Sequence, residues 1–282
     1  MKKIASFLTL CFALSSLAQN VNTSKFRQLG QELPTPNVYR TASGAPGHEY
    51  YQQRADYDMD ITLDDAKQRI YGEEVITYTN NSPDELRYVW VQLDQNMRAK
   101  NSTTQQIKSG GIFSERGNTA STAFNQLKNN QFYDFDGGFK IDYVQTTSGT
   151  NLRYTVNNTM MRVDLPTPLR KGQKFSFKIK WWFNVNDRMD IGGRSGYEYF
   201  EDEDNYLYTI AQFYPRMVVY SDNMGWQNKQ FLGRGEFTLN FGDYRVALTV
   251  PSDHVVAATG VLQNERDVLT STQRKRLAKA RD

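Results

Sequence analysis

Alternating apolar and polar residues predict β-strands along most of the chain after residue 53. The clearest case covers residues 175–183, where Phe, Ile or Trp fills every second position and Trp182 is the large aromatic on the other face. Successive side chains of a strand point to opposite faces, so one face of this strand is predicted to be buried. The pattern predicts further strands at residues 54–63, 70–79, 86–93, 139–144, 152–156, 161–165, 206–210, 213–220, 236–241, 245–250 and 255–258.

Many short strands separated by turns predict an all-β fold. We expect a curved β-sandwich or saddle of antiparallel and mixed sheets, with a short polar helix at the C-terminus. The domain is predicted to cover residues 51–265. A polar stretch at residues 94–138 is interpreted as an insertion with a short helix at 122–128, because so long a loop is unusual in a compact domain.

The first residues have the features of a secretion signal. Lys2 and Lys3 precede a short apolar run, and Ala18 closes a small-residue cleavage site, so residues 1–18 are interpreted as a signal peptide. Residues 19–50 are interpreted as an extended surface leader, and residues 266–282 as the start of a linker or helix. We therefore expect export to the periplasm or the extracellular space, and no run long enough to span a membrane.

Composition narrows the chemistry further. The net charge of +3, from 34 basic and 31 acidic residues, is too balanced for a nucleic-acid-binding protein. Cys11 lies in the predicted signal, so no disulfide or thiolate chemistry is expected after cleavage. His48 and His254 are far apart and belong to no H-E-x-x-H motif, so neither a zinc site nor a Ser-His-Asp triad is predicted. The acidic run at 201–204 is interpreted as a solvated turn.

The most informative segment is residues 195–243, with Thr209-Ile210-Ala211-Gln212, Pro215 and Arg216 at its centre. From the residues alone, Gln212 is either a strand-end glutamine bonded to backbone or a binding residue. Arg216 either supports the loop that carries Gln212 or pairs with Asp222, and Pro215 fixes the backbone between them.

This segment resembles the N-terminal β domain of zinc aminopeptidases of the aminopeptidase N and leukotriene hydrolase type, which are gluzincin metallopeptidases. The similarity covers roughly residues 50–263, and it includes GGRSGYEYF at 192–200 and EFTLNFGDYRVALTVPSDHVVAATG at 236–260. The family pattern is Thr, any residue, often Cys, then Gln or Glu, with Arg four positions on. Ile210 and Ala211 depart from the residues common there, and Asn223 onward departs from the usual Pro and Lys-Ala, which indicates a divergent branch.

The resemblance implies an exported zinc metallo-aminopeptidase whose N-terminal domain grips the free amino terminus of peptides. It implies that Gln212 accepts a hydrogen bond from the substrate ammonium, and that Tyr197 and Tyr199 face the catalytic cleft. Arg216 and Pro215 are expected to be supporting residues. Zinc and the catalytic residues belong to a catalytic domain that is expected to follow, which is the implied partner, and this chain alone is expected to be inactive.

A different class of function remains open. Export, the lack of cysteine and an aromatic content of 13% are also typical of a stand-alone secreted β-sandwich that binds a glycan or a protein. Such a module requires several aromatic side chains exposed together on one face.

Overall fold

The computed structural model describes residues 36–104, 135–233, 235 and 238–281, and within them the fold is all-β, as predicted. The strands are β1 (Arg54–Asp64), β2 (Arg69–Thr79), β3 (Leu86–Gln92), β4 (Lys140–Thr146), β5 (Tyr154–Asn157), β6 (Met160–Leu169), β7 (Lys174–Asn184), β8 (Gly196–Phe200), β9 (Asn205–Thr209), β10 (Arg216–Met217), β11 (Tyr220–Ser221), β12 (Gly225–Trp226) and β13 (Tyr244–Thr249).

Helices in the described part of the chain are short. The 3₁₀ helices are Asp65–Lys67, Asp94–Arg98 and Glu201–Glu203, and the α-helices are α1 (Arg188–Ile191), α2 (Glu265–Val268) and α3 (Ser271–Arg281). The last of these is the predicted polar C-terminal helix, and it buries no residue. None of the described helices is long and apolar enough to cross a membrane.

Two sheets enclose one hydrophobic core. The large sheet has the strand order β13-β1-β2-β7-β4 and the small sheet the order β10-β3-β6-β5, while β8-β9 and β11-β12 form two-stranded sheets. β13 runs parallel to β1, and the other pairs in both sheets are antiparallel, so the large sheet is mixed. Side chains from both sheets meet in the core, among them Ile76 and Ile179 of the large sheet and Val89 and Met161 of the small one.

The predicted alternation of β7 is confirmed. Phe177, Ile179, Trp181 and Phe183 are buried, whereas Trp182 points to the other face and lies under the Arg69 guanidinium, 4.0 Å from its carbon to the ring centre. Opposite Trp181, β2 carries a glycine, Gly72. A Cβ atom at Gly72 would lie 2.2 Å from the Trp181 ring, so the packing of this indole requires glycine there.

Three predicted strands differ in the structure. The strand expected at 213–220 is divided into β10 and β11, with the buried Pro215 directly before β10. Residues 255–258 are a short apolar run and are not in a strand, because such a run becomes a strand only where a partner strand is present. Of the strand expected at 236–241, residues 236 and 237 lie outside the described residues, and Phe241 forms only a bridge with Arg54. The helix expected at 122–128 also lies outside the described residues.

Candidate functional site

Gln212 lies in a loop, residues 210–215, that joins the β8-β9 hairpin to the small sheet. Its φ is +54°, a left-handed conformation that is uncommon for a residue other than glycine. Such a conformation costs on the order of 1–3 kcal/mol and persists only where the surrounding structure imposes it. The side chain is half-buried.

The Gln212 side-chain amide makes no hydrogen bond with any other residue in the described part of the chain. The contact made by Gln212 is through its backbone, where its carbonyl oxygen accepts a hydrogen bond of 3.0 Å from Nε2 of Gln95. Among the described residues, the structure shows no hydrogen bond from the Gln212 side chain to backbone. Both the acceptor and the donors of the amide remain available to a ligand.

The 3₁₀ helix Asp94–Arg98 supports this loop from inside the domain. Its Asp94, Gln95 and Arg98 are buried. Gln95 Nε2 donates to the carbonyl oxygens of Ala211 and Gln212, and Gln95 Oε1 accepts a hydrogen bond of 2.9 Å from Arg98 Nη1. Gln95 can be buried here because its amide nitrogen and its amide oxygen both have hydrogen-bond partners.

Arg216 lies at the other end of the loop and pairs with Asp94, with 2.5 Å between Nη2 and Oδ2. Pairing of Arg216 with Asp222 was one of two expectations, and it is wrong, because Asp222 accepts two hydrogen bonds from Arg40, at 2.7 and 2.9 Å. Asp94 also accepts a hydrogen bond from Gln92. Burial raises the pKa of Asp94 above its usual value, although the Arg216 charge opposes this effect.

The two candidate tyrosines lie on one face of the β8-β9 hairpin. Tyr197 is paired with Tyr208 and Tyr199 with Tyr206, so four tyrosines share that face. Tyr197 is half-buried against the core, and burial raises its pKa. Tyr199 is exposed, and its hydroxyl donates a hydrogen bond of 2.8 Å to Asp204, which raises its pKa.

The hairpin places the two tyrosines differently relative to Gln212. The end of the hairpin near the loop is the Gly196–Thr209 pair, and Tyr197 is the next residue. Tyr199 is three residues from that end, or about 10 Å along the strand. The structure thus brings Tyr197, and not Tyr199, near the start of the loop that carries Gln212.

The glycine-rich segment before β8 contacts the buried side chain of Arg98. Arg98 Nη2 lies 3.5 Å from Ser195 Oγ, and a Cβ atom at Gly193 would be 2.9 Å from Arg98 Nη2. Gly193 also has a φ of +105°, which L side chains rarely adopt. Gly193 therefore allows this segment to fold closely over Arg98.

A metal site is a separate question. Residues 36–104, 135–233, 235 and 238–281 contain no cluster of three or more His, Cys, Asp or Glu side chains that could hold a metal ion. His254 lies beside Asp253, with 2.9 Å between Nδ1 and Oδ1, and His48 lies in the N-terminal segment. The resemblance implies zinc in the catalytic domain of the parent and none among these residues.

Sequence reasoning missed Asp94, Gln95 and Arg98. They begin a long polar stretch that was interpreted as an insertion, and nothing in their composition distinguishes them from its other residues. Their position offered a signal, because they come shortly after Leu93, the end of a buried apolar strand pattern. When a strand ends inside the domain, the polar residues that follow it also lie inside.

No protein-family model matches this chain, and no curated protein matches it. Among solved structures it is similar to a mutant M1 zinc metallopeptidase from Deinococcus radiodurans bound to a Tyr-Ser-Ala substrate. The identity is 14%, over 75% of this chain and 36% of that one, with a TM-score of 0.39. A mutant two-domain M1 zinc metallopeptidase bound to L-tryptophan gives 15% identity over 78% and 38%, also with a TM-score of 0.39.

The chain spans little more than a third of the length of these solved structures. At this TM-score the likeness decides neither the fold nor the function. The fold described above rests on the strands and sheets of this chain.

Proposed function

We propose that this chain is the N-terminal substrate-gripping domain of an exported zinc metallo-aminopeptidase, and that Gln212 binds the free amino terminus of a peptide. One structural observation carries the proposal: the Gln212 backbone is held at a left-handed φ of +54°, while its side-chain amide has no partner among the described residues. The sequence resemblance at Thr209, Gln212 and Arg216 supports it.

The chemistry of the amino terminus explains the choice of glutamine. A peptide ammonium has three N–H donors and no acceptor, so its site must supply acceptors. The amide oxygen of Gln212 is a neutral acceptor, and its hydrogen bond to an ammonium is charge-assisted, which adds roughly 1.5–3 kcal/mol. In this proposal the catalytic domain of the parent cleaves the peptide bond, because the N-terminal domain contributes no catalytic residues.

The proposed partners follow from this role. They are the C-terminal catalytic domain of the same polypeptide and peptides with a free amino terminus. Residues 1–18 act as a signal peptide in this proposal, and the parent enzyme is periplasmic or extracellular. Nucleic acid and membrane spans have no part in it.

The alternative of a stand-alone glycan-binding or protein-binding module requires an exposed aromatic face. On the tyrosine face of the β8-β9 hairpin, Tyr197, Tyr206 and Tyr208 are half-buried, and Tyr199 is exposed. Tyr208 donates a hydrogen bond to Asp65, and both Tyr197 and Tyr208 pack against the core. One exposed ring makes this face of the hairpin a weak platform for a ligand.

Replacement of Gln212 in the parent peptidase tests the proposal. Gln212→Leu keeps the approximate size of the side chain and removes its acceptor. We expect kcat/KM for free-amine peptides to fall by about 10- to 100-fold, at about 1.4 kcal/mol per tenfold change. Any residual activity on an N-acetylated peptide should change little, since that peptide has no ammonium. Unchanged kcat/KM for free-amine peptides would show that Gln212 is structural.

A further inference from the structure

Gln95 is buried and uses both of its amide N–H groups on the loop that carries Gln212. Nε2 lies 3.1 Å from the carbonyl oxygen of Ala211 and 3.0 Å from that of Gln212. Consecutive carbonyl groups of an extended chain point in opposite directions. One amide nitrogen can therefore contact both oxygens only if the backbone turns at Gln212, as its φ of +54° shows that it does.

Arg98 fixes which end of the Gln95 amide faces the loop. Its Nη1 donates a hydrogen bond of 2.9 Å to Gln95 Oε1. If the amide were rotated by half a turn, its NH₂ group would face the guanidinium and its oxygen would face two carbonyl oxygens. Both contacts would then be repulsive, because a guanidinium has only donors and a carbonyl oxygen only accepts.

The far end of the loop is held from the same 3₁₀ helix. Asp94, the residue before Gln95, pairs with Arg216, the first residue of β10. Adjacent buried residues therefore hold the loop at 210–215 near its start, through Gln95, and just after its end, through Asp94. This arrangement restrains the backbone of Gln212 and leaves its side chain without a partner in the described part of the chain.

We propose that Gln95 is a positioning residue for Gln212: it holds the Gln212 backbone in the turned conformation that directs the free side-chain amide toward the substrate amino terminus. The proposal rests on the proposed function of Gln212 and adds to it a buried residue that never touches the substrate. It predicts that loss of the two Gln95 donors impairs substrate binding in the same way as loss of the Gln212 side chain.

Gln95→Glu in the parent peptidase is the sharpest variant. A carboxylate has the same shape and still accepts from Arg98, but it places an oxygen where the two loop carbonyls need a donor. We expect KM for free-amine peptides to rise about tenfold and kcat to change by less than about twofold, because substrate positioning is affected and the catalytic groups are not. Gln95→Met, which removes the donors without adding charge, should raise KM in the same direction.

Gln53→Glu is the matched control. Gln53 is also buried, and its amide donates a 2.9 Å hydrogen bond to Asn80 Oδ1 and accepts one of 2.5 Å from the Asn81 backbone N–H. It binds the turn before β3, whereas Gln95 follows the end of that strand. Gln53→Glu should lower stability and leave KM unchanged.

Combination with Gln212→Leu separates the two proposals. If Gln95 acts through Gln212, Gln95→Glu should add less than about twofold to the loss in a Gln212→Leu background. If Gln212→Leu lowers kcat/KM while Gln95→Glu and Gln95→Met leave it unchanged, the positioning role is overturned and the proposed function stands. The same conclusion follows if the loss from either Gln95 variant is as large in the Gln212→Leu background as in the wild type. A silent Gln212→Leu would overturn both.

A second measurement uses this 282-residue chain by itself. Gln95→Met should lower the ¹⁵N order parameters of the backbone amides of residues 211–214, while those in β2 and β7 stay unchanged. Unchanged order parameters at residues 211–214 in a folded Gln95→Met chain would contradict the positioning role, whatever the kinetics show.

Discussion

The inner face of the large sheet is buried at β2, which we call the closed region, and partly exposed at β13, which we call the open region, although both strands flank β1. Met59 of β1 is paired with Glu74 on one side and with Val246 on the other, so all three side chains point to the same face. Met59 and Glu74 are 1% exposed, whereas Val246 is 41% exposed. Its neighbours along the same row, Tyr244 and Leu248, are 46% and 40% exposed.

This difference in burial comes from what packs over the sheet and not from the strands themselves. The row through β2 and β7 packs against apolar residues of the small sheet, whereas the row on β13 is only partly covered, with Tyr244 stacked on Tyr57 and edge-on to Tyr214. An alternating sequence therefore specifies a strand and its two faces, whereas burial depends on which other element covers a face. Three substitutions sharpen this comparison, and a fourth measurement tests the site.

The largest effect is expected from Trp181→Ala in the closed region. Trp181 is fully buried against Gly72 and Phe139, so its loss leaves a cavity and should reduce the free energy of unfolding by about 3–5 kcal/mol. Trp182→Ala, one residue along on the outer face, is the control and should cost less than about 1.5 kcal/mol. Urea unfolding of the two variants measures the difference, and equal losses would contradict the two-face assignment of β7.

A smaller effect is expected from Glu74, the charged residue of the closed row. Both carboxylate oxygens are buried without a hydrogen bond, and burial raises the pKa well above its usual value. The group remains protonated in the folded state while the unfolded chain releases its proton. Its contribution to stability is therefore complete below the unfolded pKa of about 4.3 and is lost as pH rises through the folded pKa.

Glu74→Met should remove this pH dependence. We expect the variant to gain roughly 1–3 kcal/mol over the wild type at pH 8 and to gain less at pH 4, because the unpaired carboxyl is gone. Denaturant unfolding across that range measures the gain, with Glu73→Met on the outer face as the control. A gain that is the same at both pH values would show that the pKa of Glu74 in the folded protein is not raised above its value in the unfolded chain.

The smallest effect is expected from Val246→Lys in the open region. A lysine on a partly exposed row keeps its charge in water, so the loss should stay below about 0.5–1 kcal/mol. Met59→Lys, directly opposite on β1, should prevent stable folding. A loss of several kcal/mol for Val246→Lys, measured by urea unfolding at low protein concentration, would show that this row is covered in solution.

The same distinction explains what the sequence predicted and what it did not. The alternation in residues 175–183 was sufficient to assign β7 and the faces of Trp181 and Trp182, because period-two patterning is local. The apolar run at residues 255–258 forms no strand, because strand pairing is not local. The left-handed backbone at Gln212 was not predictable either, since it depends on the contact with Gln95, which is far away in sequence.

The role given to Gln212 is the central claim, and substrate discrimination tests it most directly. The measurement compares kcat/KM of the parent peptidase for a peptide and for its analogue with hydrogen in place of the terminal amino group, in the wild type, Gln212→Leu and Gln212→Glu. Gln212→Leu should reduce the preference for the amine by about 10- to 100-fold, and Gln212→Glu should retain most of it, because a carboxylate also accepts from an ammonium. The same preference in all three proteins would contradict the claim.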